Sequence, residues 1–152
     1  PFDHADTKDQ GARLGERAYL NLAEQAPPFL AALWCCTLVA SPRLAALLGG
    51  AALTSRFAYP ILWAMGPGGA FNWRVELSTQ PWYACLMGML NASALKILLP
   101  DLPLDFESMP AMHILGFTLA SYVGGWLLVL ALGASLRGAA GWAYAGHSLK
   151  TS

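Results

Sequence analysis

"ERAYLNLAEQAPPFLAALW", residues 16–34, begins as a charged amphipathic segment and ends as an apolar one. Arg17, Asn21 and Glu24 stand just ahead of the Pro27-Pro28 pair and a run suited to hydrocarbon. Polar groups on the approach to such a span either bind something or hold helices together. The choice depends first on the solvent in which the chain folds. Of 152 residues, 56% are hydrophobic and 12% are charged, and the mean hydropathy is +0.44. A soluble domain carries about 25% charged residues, so half that share points to lipid. The length suits one domain, residues 1–152. The formal charge is zero, which argues against a nucleic-acid partner, because phosphate binding needs a basic surface.

Four hydrophobic segments follow one another with no soluble domain among them, so an all-α, polytopic four-helix bundle in a membrane is expected. The first runs over about 12–40, long enough for its polar start to protrude from a ~30 Å hydrocarbon core. A break at "SPR", Ser41 to Arg43, leads to a second span over about 44–65. "GPGGAFNW" then turns the chain, since two glycines and a proline do not continue a helix. The third span is about 81–99. An acidic loop, "PDLPLDFESMP", precedes the fourth, about 111–136, which contains no Asp, Glu, Lys or Arg.

Four crossings leave both termini on one side. That side carries Lys8, Arg13, Arg17, Arg74, Arg137 and Lys150; the other has Arg43 and Lys96 with Asp101, Asp105 and Glu107. The excess of basic residues directs the termini to the cytosol, stroma or matrix. Trp63, Trp73, Trp82 and Trp142 fall near the same interface, where indoles prefer to sit. Ala46, Gly50, Thr54 and Ala58 recur every four residues, as do Gly116, Ala120 and Gly124. Small residues at that spacing allow close backbone approach, within the chain or between copies. Cys35, Cys36 and Cys85 lie in apolar stretches without ligand spacing and read as small buried hydrophobes. No metal site is expected. The chain opens on Pro1 without a signal-peptide pattern, as a processed or trimmed sequence would.

At 100° per residue, Arg13, Arg17, Asn21 and Glu24 fall within roughly an 80° arc. This stripe descends from the interface into the membrane, where a carboxylate must face protein or a wet cavity and find a partner. Arg56 lies in the second span, with Tyr59 three residues on. Arg17, Glu24 and Arg56 in antiparallel helices are thus candidates for a charge-compensated cluster. One reading is a pocket for an anionic, peptide-like ligand. Guanidinium groups would fork onto carboxylates, Asn21 would donate and accept, and Glu24 would receive an ammonium. The other is a structural polar network that fixes helix register. Pro27 and Pro28 read as a kink or loosened turn.

Arg17-x3-Asn21-x2-Glu24 followed by "PPFLAALW" resembles the second transmembrane helix of the MAPEG superfamily, the membrane-associated proteins in eicosanoid and glutathione metabolism. "SRFAYPILWAMG", residues 55–66, resembles that family's third helix, and "STQPWYACLMGML", residues 78–90, is similar to the start of its fourth. The likeness covers about 12–99. It implies a bundle protomer, usually one of a homotrimer, with glutathione held between protomers near the cytosolic face. It also implies conjugation of glutathione to lipophilic electrophiles, reduction of lipid hydroperoxides or isomerisation of prostaglandin endoperoxides. By matched position Arg17, Asn21, Glu24 and Arg56 would contact glutathione, and Tyr59 would line the same site with a catalytic part. A nearby arginine or hydroxyl would lower the pKa of the thiol.

Two positions depart from the family pattern. Gln25 stands where several members have a tyrosine, and Trp63 where a second tyrosine would sit. The resemblance also implies a whole helix before residue 1. The fourth span runs in the direction such a helix would take and ends at Arg137. Residues 111–136 are therefore expected either to fill the first-helix place in a permuted bundle or to form an additional helix. Arg137 would then match the family arginine implicated in thiolate stabilisation. His4, His113 and His147 lack ligand partners at metal spacing, and a pigment on His113 is not demanded locally. Ser78, Thr79 and Ser121 have no His/Asp arrangement and read as helix hydrogen-bonders. Two functions follow: a glutathione-dependent membrane enzyme, or a non-catalytic subunit of a larger respiratory or photosynthetic complex. Membrane lipids surround either one.

Overall fold

A computed structural model of the chain describes residues 10–65 and 73–148, with side chains described at 15, 16, 18–65 and 73–135. Within these residues the architecture is all-α. Helix α1, Gln10–Cys35, continues through Pro27 and Pro28. The ladder loosens further on instead, in a π-helical turn at Cys36–Ala40, where the Ser41 N–H reaches the Cys36 carbonyl at 2.9 Å. The residue before a proline avoids the helical region, and Ser41 is extended (φ −169°, ψ 129°). Its hydroxyl oxygen accepts from the Leu44 N–H at 3.1 Å and caps α2, Pro42–Ala64. Pro42 occupies the first helical position, where a missing N–H costs nothing. The break expected over Ser41 to Arg43 therefore shrinks to Ser41 alone.

Most of the "GPGGAFNW" turn lies outside the described residues. A 3-10 turn at Trp73–Val75 leads into α3, Glu76–Leu98, which starts five residues before the expected Pro81. Glu76 sits in its first turn, where the helix dipole favours an acid. Helix α4, Ala111–Ser148, runs past the expected limit near 136. Among the described residues three stretches are long and apolar enough to cross a membrane: Ala18–Ala40, Pro42–Ala64 and Ala111–Ser135.

Helix α3 packs against each of the other three. Its Trp82, Cys85, Leu86, Met89 and Ala92 meet Phe29, Ala32 and Cys36 from the α1 side and Leu44, Leu48 and Ala52 from α2 in one core. Helix α4 docks on α3 through Ile114, Phe117 and Thr118 and leaves its other face bare. Helices α2 and α4 both close on Gly88, where an added Cβ would lie 3.0 Å from Leu48 Cδ1 and 3.2 Å from Thr118 Oγ1. The small-residue rows read from the sequence are not the packed ones within the chain. Gly50, Gly116 and Gly124 have nothing within 4 Å of such a Cβ, whereas Gly49, one residue round the helix, presses on Leu33.

The loop between α3 and α4 is latched to the α1–α2 hinge. Glu107 accepts from the Ser41 hydroxyl at 2.5 Å, and Arg43 donates to the carbonyls of Glu107 and Met109. Phe106 plugs the core beneath it. The Ser108 hydroxyl and then the Glu107 N–H hold the Asp105 carboxyl below the usual carboxylate range. This fixes the end of the bundle opposite the polar stripe.

Candidate functional site

Helices α1 and α2 run antiparallel through the hinge at Ser41, which brings the start of α1 beside the end of α2 and the start of α3. Asn21, Glu24, Tyr59, Trp63, Glu76 and Thr79 line a cleft of about 300 Å³ there. A second cleft of about 210 Å³ adjoins it, walled by Asn21, Arg56, Tyr59 and Pro60. Asn21 and Tyr59 belong to both. Four of the residues predicted from sequence thus meet at one place.

Arg56 is the unusual member. Only 9% of it is exposed, and none of its three guanidinium nitrogens has a hydrogen-bond partner among the described residues. Its guanidinium carbon lies 4.7 Å from the centre of the Trp82 ring and 5.3 Å from that of Tyr59. Ring faces attract a cation but offer no in-plane acceptor to its N–H groups. The expected charge-compensated cluster is therefore not formed between Glu24 and Arg56. Glu24 stays exposed on the cleft wall while Arg56 turns inward onto the rings. The third member, Arg17, lies on α1 one turn before Asn21, and its side chain is outside the described residues. The same holds for the side chains of Arg13, Arg137 and His147, and for His4 entirely.

Several residues around the site were not among the site candidates in the sequence reading. Gln25 donates through Nε2 to the Tyr83 hydroxyl at 3.1 Å and accepts from Trp82 Nε1 at 3.3 Å. It ties α1 to α3 directly behind Arg56. Trp82 is not an interface indole but a core residue, 1% exposed, with its ring 4.5 Å from that of Phe29. Trp63 stacks on Tyr59, centroids 5.9 Å apart. Ser78 donates to the Ser55 carbonyl of α2 at 2.6 Å rather than to its own helix. Thr79 bonds within its own segment, to the Val75 carbonyl. Gln80 donates to Glu76 and accepts from the Tyr122 hydroxyl. The quoted segment "STQPWYACLMGML" contained most of these groups, but nothing in their spacing showed which helix each would face.

The arrangement presents a buried cation without an acceptor among the described residues, an amide shared by two clefts and two carboxylates lining one cleft. That donor set fits an anion next to a cation on one small ligand. A model of the MAPEG family matches residues 1–95. No curated protein and no solved structure matches the chain.

Proposed function

The chain belongs to the MAPEG family, and from that membership we propose that its paired clefts hold glutathione in a transferase or peroxidase acting on lipophilic substrates. It is an integral membrane protein whose three most apolar stretches meet lipid. In the proposed arrangement α3 crosses with them as the most enclosed helix, and the termini face cytosol, stroma or matrix. The observation that carries the reading is Arg56. An arginine buried in a membrane bundle without an acceptor is costly, and an anionic ligand group would relieve it.

Each residue has a part. Arg56 takes a carboxylate or thiolate through its planar fork. Asn21 donates and accepts between the two clefts, and Glu24 receives an ammonium. Tyr59 lines both clefts. Arg17 and Arg137 are carried by the family resemblance, Arg17 as a ligand contact and Arg137 as a thiolate stabiliser. The tripeptide supplies the thiol nucleophile that the side chain inventory of the clefts lacks. A cation held in a dry pocket favours the ionised form of such a thiol. Trimeric assembly, with the clefts completed by a neighbouring copy, belongs to the same proposal.

Purified protein should bind glutathione and conjugate it to an aryl halide, and Arg56→Ala should lose both. An inert wild type would count against the enzyme. A second reading, a non-catalytic subunit of a larger membrane complex, is favoured by the bare outer face of α4, where Trp126, Leu127, Leu128 and Leu130 are all exposed. Purification in a fixed single copy with other subunits would support it, and a self-contained homotrimer would undo it.

A further inference from the structure

Glu76 faces the same cleft as Glu24, and the reading above gives it no part. Its surroundings are built rather than incidental. An ionised carboxylate can only accept, so Gln80 must turn its amide nitrogen toward Glu76 and its carbonyl oxygen away. The Tyr122 hydroxyl donates to that oxygen. With both ends engaged, the amide cannot reverse, and one oxygen of Glu76 is pinned. No described residue bonds the other. Across the cleft stand the stacked rings of Tyr59 and Trp63, whose faces also attract a cation.

The neighbouring cleft has the opposite sign. There the guanidinium of Arg56, nine-tenths buried and without an acceptor, lines a wall shared through Asn21 and Tyr59. A ligand with an ammonium and a carboxylate a few atoms apart would satisfy both ends at once. Helix α4, which supplies Tyr122, lies wholly beyond the residues that the family model matches. The chain's C-terminal helix is thereby joined to a site otherwise built from the matched segment.

We propose that Glu76 is a ligand-binding carboxylate that receives the ammonium of an amino-acid-like group, and that Tyr122, acting through Gln80, is the positioning residue that aims it. Glu24 then assists from the more exposed wall. This rests on the glutathione reading, since the γ-glutamyl end of that tripeptide carries both groups.

The test titrates purified wild type, E76Q, E76D and Y122F with glutathione and with the analogue whose γ-glutamyl amine is replaced by hydrogen. Wild type should prefer the amine-bearing tripeptide by about 10- to 100-fold, the range of one charge-assisted hydrogen bond. E76Q, which keeps the shape and the bond to Gln80, should bring that ratio close to one. E76D should keep part of it. Y122F should lower the ratio several-fold while binding the amine-free analogue as wild type does, a pattern that general loosening of the fold would not produce. A ratio unchanged in E76Q overturns the inference and leaves glutathione binding standing. A wild type that takes up neither tripeptide overturns the glutathione reading and this inference with it.

Discussion

Replacing Arg56 by methionine should stabilise the free protein and weaken its ligand. Methionine fills a similar elongated volume and adapts to irregular gaps. In the present fold the guanidinium has surrendered water, and its three nitrogens have no acceptor among the described residues. Moving a charge from water into a low-dielectric site costs several kcal/mol after relaxation. The two ring faces, Trp82 at 4.7 Å and Tyr59 at 5.3 Å, each return roughly 0.5–2 kcal/mol. The balance is a deficit, and exchanging buried ions for hydrophobic groups of like volume stabilises by about 1–4 kcal/mol in favourable cases. A gain of about 2 kcal/mol corresponds to a rise of roughly 4–8 °C in melting temperature for a chain of this size.

The ligand should respond in the opposite direction. Losing a charge-assisted fork costs about 1.5–3 kcal/mol, which weakens glutathione binding roughly 10- to 150-fold. Thermal melting in micelles followed by circular dichroism gives the first quantity, and calorimetric titration gives the second. Arg56→Lys is the companion variant, because it keeps the charge and loses the planar fork. A ligand-free Arg56→Met protein that melts below wild type would refute the reasoning, since Arg56 would then be part of what holds the bundle together. Undiminished glutathione affinity would refute the assignment of Arg56 to the site.

Other consequences follow from the packing. Gly88→Ala should destabilise by about 1–3 kcal/mol, because its Cβ would meet Leu48 and Thr118, while Gly116→Ala should be neutral or stabilising; paired thermal melts compare them. Ser41→Ala removes both the cap of α2 and the bond to Glu107 and should cost about 1–2 kcal/mol, read as a lower melting temperature with increased proteolysis in residues 99–110. Asp105 is held below the usual carboxylate value near 3.9 by Ser108 and then Glu107, so its contribution to the loop is present above that pH and lost as pH falls through the lower folded value. An acid step in loop hydrogen exchange that vanishes in Asp105→Asn would check this.

The helices and their order were legible because runs of apolar residues bounded by Pro, Gly and charge leave few alternatives. The stripe on α1 was legible for a related reason: α1 is amphipathic at its start, so its polar face declares itself. Helices α2, α3 and α4 are apolar nearly all round, and their rotation about their own axes is not written in any period. A one-residue error turns such a helix by about 100°. That is why the row at Gly50 could serve contacts within the chain or between copies on the sequence alone, whereas in the fold Gly49 and Ala52 carry the packing within the chain. It is also why Arg56 could be placed at the right depth but not against Trp82. The partners of Gln25 and Tyr122 lie some 40 to 60 residues away in the chain, and only packing brings them together. Gln25 looked like a lost tyrosine; in the fold it reaches the hydroxyl of another one, Tyr83.

The division between neutral and charged groups bears on what the polar stripe is for. A network whose task is to hold helices in register would pair its charges, since lone charges in a membrane are costly. Here the links between helices are made largely by neutral amides and hydroxyls: Gln25 to Tyr83, Ser78 to the Ser55 carbonyl, and Tyr122 to Gln80. Such bonds suffice to fix register in a bundle. Glu24 and Arg56 take no part in them. They line adjoining clefts that share Asn21 and Tyr59, one exposed and one buried, and they do not neutralise one another. Neutral groups thus suffice for the links between helices, and under the proposed reading Glu24 and Arg56 would meet the two charges of one ligand.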